Sequence, residues 1–185
     1  VLLDGKQVTI SSPRCAVKSG IAYLPEDRLV QGIFRTHPLR ANASVTALPG
    51  LSAFTWIDRR AEHALGEKVM RDMRVRARSI EQPIGALSGG NQQKIVFGRW
   101  QATNPKVLLL DEPTRGVDVG AREEMFAIIH RLVEQGMAVI LISSDLPEVM
   151  NLSHRLALYR AGRIVREVAA QEISPEAVMA ELTRN

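Results

Sequence analysis

The feature that most constrains the fold is an alternation of helix and strand patterns between residues 88 and 142. Residues 107–110 and 137–142 are apolar throughout, as in strands buried on both faces of a parallel sheet. Between them, residues 118–135 carry an apolar stripe at helical spacing and end before Gly136. Strand–helix–strand alternation at this spacing predicts an α/β fold with a mostly parallel sheet and right-handed crossovers.

Local signals predict the remaining elements. We expect strands at residues 7–10 and 21–24, then an irregular stretch at 26–51 with one short helix. Helices are predicted from Ser12 to Gly20, at 58–73, from Ser88 to before Asn104, at 147–152 and from Ser174. Residues 155–159 and 163–167 are predicted to form a hairpin. Trp56 is expected to be a packing residue.

Composition limits the class of protein. The 185 residues are 45% hydrophobic, enough to bury a core, and the single cysteine, Cys15, excludes a disulfide framework or a cysteine-built zinc site. The longest apolar runs fall short of the roughly 20 residues that a membrane helix needs. The net charge of +4 is compatible with an acidic partner or with a solvated helix face, so charge alone decides nothing.

An acidic pair directly follows the first apolar strand. Asp111 and Glu112 stand at its carboxyl end, where open α/β sheets bind ligands. In a phosphoryl-transfer site, the first carboxylate holds Mg²⁺ and the second orients or deprotonates the attacking water. Taken alone, the pair is equally typical of acidic residues that end a strand in solvent.

A second segment places a serine and two glycines at the start of a helix. Ser88, Gly89 and Gly90 lie there, between Leu87 and Lys94. Glycines let a phosphate approach the backbone, and a helix N-terminus offers free N–H donors and a positive dipole end. A serine N-cap followed by flexible glycines is the alternative.

Together these segments resemble the ATP-binding subunits of ABC transporters. Residues 87–92 are similar to that family's signature sequence, residues 107–112 to its Walker B strand, and residues 116–118 to its D-loop. The longer form of both motifs resembles the sugar-import branch, whose ATPase subunits carry two fused nucleotide-binding halves. Residues 25–28 and 143–148 look like the C-terminal half. The resemblance covers nearly the whole chain and is weakest over residues 35–80.

The resemblance implies a P-loop NTPase fold of the ABC type. The implied parts are a RecA-like core at about 1–38 and 100–170, a helical subdomain at about 39–99 and a C-terminal helix at about 174–183. The implied cofactors are ATP and Mg²⁺. The implied partners are an N-terminal half carrying the phosphate loop, transmembrane permease subunits and, indirectly, a periplasmic solute-binding protein, with no nucleic acid. The implied location is peripheral, on the cytoplasmic face of the inner membrane, with a groove near residues 26–49 docking a membrane-domain helix.

The family's residue roles carry over to matching positions. Asp111 would be the Mg²⁺ ligand, Glu112 the catalytic base and Asp118 the D-loop aspartate. The signature residues that would bind, in trans, ATP seated on the partner half are Leu87, Ser88, Gly89, Gly90 and Gln92.

Three departures from the family pattern concern ATP hydrolysis. The 185 residues contain no Gly-x-x-x-x-Gly-Lys-Ser/Thr phosphate loop, so we expect a half truncated before its Walker B region, without the strand, loop and helix of Walker A. Glu26 occupies the Q-loop glutamine position and Ser144 the switch-histidine position. A serine cannot carry the positive charge that a histidine can place near a γ-phosphate. These departures argue against hydrolysis at this half's own site.

The sequence therefore predicts an ATP-binding component of a carbohydrate-type ABC import complex, with one competent composite site and one degenerate site. The alternatives are a half that clamps nucleotide without hydrolysing it, and an inactive truncated gene product. The transported solute stays open among ribose, galactose, rhamnose and autoinducer-2.

Overall fold

The computed structural model describes residues 1–53 and 55–183, which divide into two compact units, Val1–Ile140 and Leu141–Asn185. The strands are β1 (Leu2–Leu3), β2 (Lys6–Gln7), β3 (Ile21–Leu24), β4 (Ser52–Ala53), β5 (Trp56–Ile57), β6 (Val107–Asp111), β7 (Ala138–Ile142), β8 (Arg155–Arg160) and β9 (Arg163–Ala169). The α-helices are α1 (Pro13–Lys18), α2 (Leu39–Ser44), α3 (Leu48–Leu51), α4 (Arg59–Asp72), α5 (Gly89–Gln101), α6 (Val119–Glu134), α7 (Leu146–Leu152) and α8 (Pro175–Thr183). A π-helical turn spans Arg28–Gly32, and 3₁₀ turns span Ile84–Ala86 and Ala170–Glu172. Across the described residues, every helix is too short or too polar to cross a membrane.

Parallel pairing of β3 with β6 builds the central sheet of the first unit. The register sets Leu24 opposite Leu110, and both side chains are at most 1% exposed. Strand β7 comes next in the order β3-β6-β7, and the amide of Ala138 donates a hydrogen bond to the carbonyl of Lys106 at 3.0 Å. The α/β fold with a parallel sheet is confirmed.

The prediction that both apolar strands are buried on both faces is wrong. In β6, burial alternates, with Leu108 and Leu110 buried and Leu109 only half-buried. Strand β7 is the last in the described sheet, and Ile140 is 53% exposed. Side chains on an edge strand are covered from fewer directions, so an apolar run remains partly exposed there.

Helix α5 is the centre of the helical layer. Ile95, Val96 and Phe97 are at most 1% exposed. Gly98 allows α4 to come close, because a Cβ at this position would lie 2.4 Å from Val69 Cγ1. Helices α2, α4 and α5 pack on one another, as in the helical subdomain that the resemblance implies. The bounds of that subdomain stay a prediction.

Two local predictions at the N-terminal side are wrong. The predicted strand at residues 7–10 is replaced by a hairpin of β1 with β2, turning at Asp4 and Gly5, which have φ of 51° and 72°. Asp-Gly at this spacing is the signal of a two-residue hairpin turn. The stretch at 26–51 contains the π-helical turn, α2 and α3 in place of one short helix. Buried Asn42 holds this stretch, since it accepts from the amide of Phe34 at 2.9 Å and donates to its carbonyl at 3.1 Å.

Trp56 is not a packing residue. Its side chain is 81% exposed, on the short β4–β5 hairpin that precedes α4.

The second unit is a hairpin covered by helices. Strands β8 and β9 pair antiparallel around Ala161 and Gly162, which have φ of 48° and 82°, and this confirms the predicted hairpin. The apolar core of this unit consists of Leu156, Leu158, Ala170, Ile173 and Val178.

Candidate functional site

The acidic pair lies at the carboxyl end of β6. Asp111 is its last residue, and Asp111 Oδ2 accepts a hydrogen bond from the phenol of Tyr23 on β3 at 3.0 Å. Burial and, after it, the hydrogen bond to Asp111 raise the pKa of Tyr23. The phenol therefore stays protonated near neutral pH and remains a donor to this carboxylate.

Glu112 leaves the strand in a left-handed backbone conformation. Its φ is 46°, which costs a non-glycine residue about 1 kcal/mol. The amide of Arg115 donates to the carbonyl of Glu112 and the amide of Val117 to that of Thr114, both at 3.1 Å. Thr114 is 4% exposed. The segment after β6 is thus a fixed turn, of the strained kind that persists only where the surrounding structure holds it.

The serine and glycines begin α5, as predicted. Ser88 is at the N-cap position, and its Oγ accepts a hydrogen bond from Asn91 Nδ2 at 2.9 Å instead of capping a backbone amide. A Cβ at Gly90 would lie 2.4 Å from Ala121 Cβ. Packing inside the chain thus already requires glycine at position 90. This packing is a reason for glycine that neither the approach of a phosphate nor flexibility after a serine N-cap includes.

Four side-chain contacts hold the turn after β6: one from α5, two from Arg28 and one from Glu26. Gln93 Nε2 donates to the carbonyl of Pro113 at 2.9 Å. Arg28 donates from Nη1 to the carbonyl of Arg115 at 2.8 Å and from Nη2 to that of Gly116 at 3.3 Å. The side chain of Arg115 forms an ion pair with Glu26. We call Arg28, residues 88–90 and residues 115–118 the signature junction.

Leu87 and Gln92 lie beneath the surface. They are 8% and 7% exposed. Gln92 Nε2 donates to the carbonyls of Ile84 at 3.3 Å and Leu87 at 3.0 Å. Gln92 therefore shapes the turn that leads into α5, and its Nε2 is already engaged in doing so.

The remaining predicted site residues fall in different units. Asp118 belongs to the first unit and caps α6, accepting a hydrogen bond from the amide of Ala121 at 3.0 Å. Ser144 belongs to the second unit, in the exposed turn between β7 and α7. The structure thus joins Glu26, through Arg115, to the signature junction, whereas Ser144 belongs to the second unit.

Asp111 can supply one of the oxygen ligands that Mg²⁺ needs. Among residues 1–53 and 55–183, no group of three or more His, Cys, Asp or Glu side chains is placed to hold a metal. Protein-bound Mg²⁺ usually takes one or two carboxylates, with phosphate oxygens and water as its other ligands. Asp111, at a strand end and held by Tyr23, fits the role of a single carboxylate ligand.

A groove on the helical layer is a second candidate surface. It encloses about 360 Å³, and its apolar lining includes Phe34, Pro38, Val45, Leu48 and Ile57. We call this surface the helical groove.

A buried ion network lies beside the helical groove. The side chain of Glu62 is 4% exposed and accepts hydrogen bonds from Arg40 at 2.7 Å, Arg59 at 3.0 Å and Ser44 at 3.2 Å. Arg40 also donates to Glu81 at 2.7 Å. These hydrogen bonds to carboxylates, with the one to Glu81 foremost, raise the pKa of Arg40. The network joins the start of α4 to α2.

Comparison with known proteins identifies the family. The family model described as ABC transporter matches residues 1–115. The chain belongs to the ABC transporter family. It is 42% identical over 179 residues to the ribose import ATP-binding protein RbsA of Halalkalibacterium halodurans, a match covering 97% of this chain and 36% of that protein.

A second relative is also named for sugar import. The chain is 45% identical over 180 residues to the arabinose import ATP-binding protein AraG 2 of Burkholderia cenocepacia, covering 97% of this chain and 35% of that protein. It spans about a third of the length of these curated relatives. A crystal structure of an ATP-binding cassette of an ABC transporter in its ADP conformation matches 99% of this chain and 72% of that one, with a TM-score of 0.75 at 21% identity. This confirms the ABC-type fold.

Sequence reasoning missed Tyr23, Arg28 and Gln93. The resemblance covers residues 25–28 but assigns a role only to Glu26. No local pattern pairs Tyr23 with Asp111, because 88 positions separate them and only the parallel register of β3 and β6 brings them together. Arg28 had one signal, a cation two residues after Glu26.

Proposed function

We propose that this chain is part of the ATP-binding component of a carbohydrate-type ABC import complex, and that it supplies signature and Walker B residues to ATP-driven solute uptake. One observation carries the proposal: similarity at 42% and 45% identity, over 97% of the chain, to proteins named for ribose and arabinose import. The signature junction supports it, because it holds the start of α5 against the turn after β6.

Ser88, Gly89 and Gly90 would receive the γ-phosphate of ATP seated on an N-terminal partner half. They stand at the N-terminal end of α5, a helix of 13 residues. The free amides and the positive dipole end there favour a phosphate oxygen. The hydrogen bond from Asn91 orients Ser88 Oγ. The junction would therefore present a preset anion site to the partner half.

At this half's own site, Asp111 would hold Mg²⁺ and Glu112 would act as the base. The hydrogen bond from Tyr23 fixes one oxygen of Asp111. When bound, Mg²⁺ neutralises charge on the phosphate oxygens. The left-handed backbone of Glu112 fixes where its carboxylate leaves the strand. D-loop residue Asp118 would hold α6 in place beside the signature.

A nucleotide clamp that does not hydrolyse ATP is the second candidate. Two observations favour it for this half. The hydroxyl of Ser144, at the switch position, does not titrate near neutral pH as a histidine does. Glu26, at the Q-loop position, places a negative charge where the family has a neutral glutamine amide. On this reading, Glu112→Gln leaves the ATPase rate of the complete subunit nearly unchanged.

Membrane permease subunits are the proposed partners, with a periplasmic solute-binding protein acting through them. A membrane-domain helix would dock in the helical groove, placing the subunit peripherally at the cytoplasmic face of the inner membrane. The apolar lining of the groove supports this role, as does the exposed Trp56, which directly precedes Ile57 of that lining.

Ser88→Arg in the complete transporter tests the proposal. The added side chain would fill the anion site, so we expect ATPase and transport rates to fall at least about tenfold. Ser11→Arg, at an exposed serine before α1, is the matched control and should leave both rates unchanged. Unchanged rates in the Ser88 variant would refute the proposal. If the Ser88 variant is impaired, the ATPase rate of Glu112→Gln separates hydrolysis at this half from clamping.

A further inference from the structure

Arg28 makes contacts that the proposed roles of Glu26 and the signature residues leave unexplained. It is the first residue of the π-helical turn and is half-buried. Its Nη1 and Nη2 donate to the carbonyls of two consecutive residues, Arg115 at 2.8 Å and Gly116 at 3.3 Å. A guanidinium presents donors in a rigid planar fork, so two such bonds fix a loop in direction as well as in distance.

The same guanidinium lies against the signature. A Cβ at Gly89 would be 2.4 Å from Arg28 Nη2 and 3.0 Å from the carbonyl oxygen of Gly116. Gly116 has φ of 67°, a conformation that favours glycine. Arg28, Gly89 and Gly116 therefore meet at one point, which joins the segment after Glu26, the start of α5 and the D-loop.

Stability is a poor explanation for this arrangement. Burial lowers the pKa of Arg28, and Asp27 opposes that shift only in part. Nε is buried without a hydrogen-bond partner among the described residues. A cation bound to carbonyls instead of a carboxylate keeps most of its desolvation cost, so its net contribution to folding is small. The main effect of the contact is to fix the position of the backbone at residues 115 and 116.

The neighbouring ion pair does not provide the same restraint. Glu26 and Arg115 pair through side chains that are 48% and 65% exposed. Exposed pairs of this kind are screened by solvent and contribute little. The backbone of residues 115–116 is instead held by the half-buried guanidinium.

We propose that Arg28 is a positioning residue that locks the D-loop backbone onto Gly89, and so sets the position in which Ser88–Gly90 receive the γ-phosphate of the partner-bound ATP. The inference rests on the proposed function of these signature residues. The proposal makes Arg28 a link between residues that follow the Q-loop position and the nucleotide-facing end of α5.

The test uses Arg28→Gln and Arg28→Lys in the complete transporter. Arg28→Gln should raise the KM for ATP about tenfold, as expected from loss of a charge-assisted hydrogen bond, and speed hydrogen exchange at residues 115–118. Arg28→Lys keeps the positive charge but not the planar fork, so it should reverse part of both effects.

Arg131→Gln is the matched control. Arg131 also donates to a backbone carbonyl, that of Asp72 at 3.3 Å, and its Nε is likewise buried without a partner among the described residues. We expect the KM for ATP to be unchanged in this variant. Equal KM changes in the Arg28 and Arg131 variants, or unchanged exchange at 115–118 in Arg28→Gln, would overturn the inference. If Ser88→Arg abolishes activity while Arg28→Gln is silent, only this inference fails; if Ser88→Arg is also silent, the proposed function fails with it.

Discussion

The signature junction and the helical groove lie in the same unit but are built in different ways. At the junction, the contacts run through backbone carbonyls and glycines, as in the bonds from Arg28 to Arg115 and Gly116. At the groove, they run between side chains, with Glu62 bound by Arg40 and Arg59. Gly89 and Gly90 of the junction therefore tolerate no added side-chain atom, whereas the network beside the groove depends on charges that must stay paired.

This difference explains why the junction has a readable sequence motif and the ion network beside the groove has none. A site built from backbone needs fixed residue types at consecutive positions, and this produces a readable motif. A site built from side-chain pairs needs only complementary charges, and those of Glu62 and Arg40 are separated by 22 positions. Three changes test the comparison.

The largest expected effect is at the ion network. Glu62→Gln keeps the shape of the side chain but removes the charge that balances Arg40, so we expect a loss of about 3 kcal/mol. The free energy of unfolding of the complete subunit, followed through hydrogen exchange in α2 and α4, measures this. Glu123→Gln, on an exposed position of α6, should stay within about 0.5 kcal/mol of the parent. If the two variants are equally stable, the network does not hold the groove.

A smaller effect is expected at the junction. Gly90→Ala places a Cβ 2.4 Å from Ala121 Cβ, which is closer than two carbon atoms normally approach. Overpacking of this kind costs about 2 kcal/mol. The intrinsic helix preference for alanine acts in the opposite direction, so the sign of the change reports the packing. Gly50→Ala in α3 has no atom within 4 Å of the new Cβ and is the control. A stabilised Gly90→Ala variant would contradict the tight contact between α5 and α6.

The smallest effect concerns the link between β3 and Asp111. Burial and the bond to Asp111 raise the pKa of Tyr23, so its stabilising contribution is present below the ordinary tyrosine pKa of about 10 and is lost as pH rises through the higher folded pKa. Ultraviolet absorbance during alkaline titration, compared between the parent and Tyr23→Phe, isolates this ionisation. Tyr159→Phe, at a side chain that is 65% exposed, serves for comparison. Ionisation of Tyr23 at or below pH 10 would show that the phenol does not bind the carboxylate.

Sequence patterns predicted the α/β class, the position of α5 and the hairpin of the second unit, because each depends on local periodicity or on turn residues. They failed for burial of β7, because its place at the edge of the described sheet depends on the order of strands. They also failed for Trp56, whose exposure depends on how a short hairpin leaves the helical layer. Within the candidate site, the motif residues were identifiable, whereas Arg28 and Tyr23 required the fold to bring distant positions together.

The most direct test of the central claim is a structure of the complete transporter with ATP bound. The account predicts that Ser88 Oγ and the amide of Gly90 lie about 3 Å from γ-phosphate oxygens of ATP held by the other nucleotide-binding half. It also predicts that Arg28 still donates to the carbonyls of residues 115 and 116. A signature that faces solvent, or that contacts only protein, in the ATP-bound state would contradict the account.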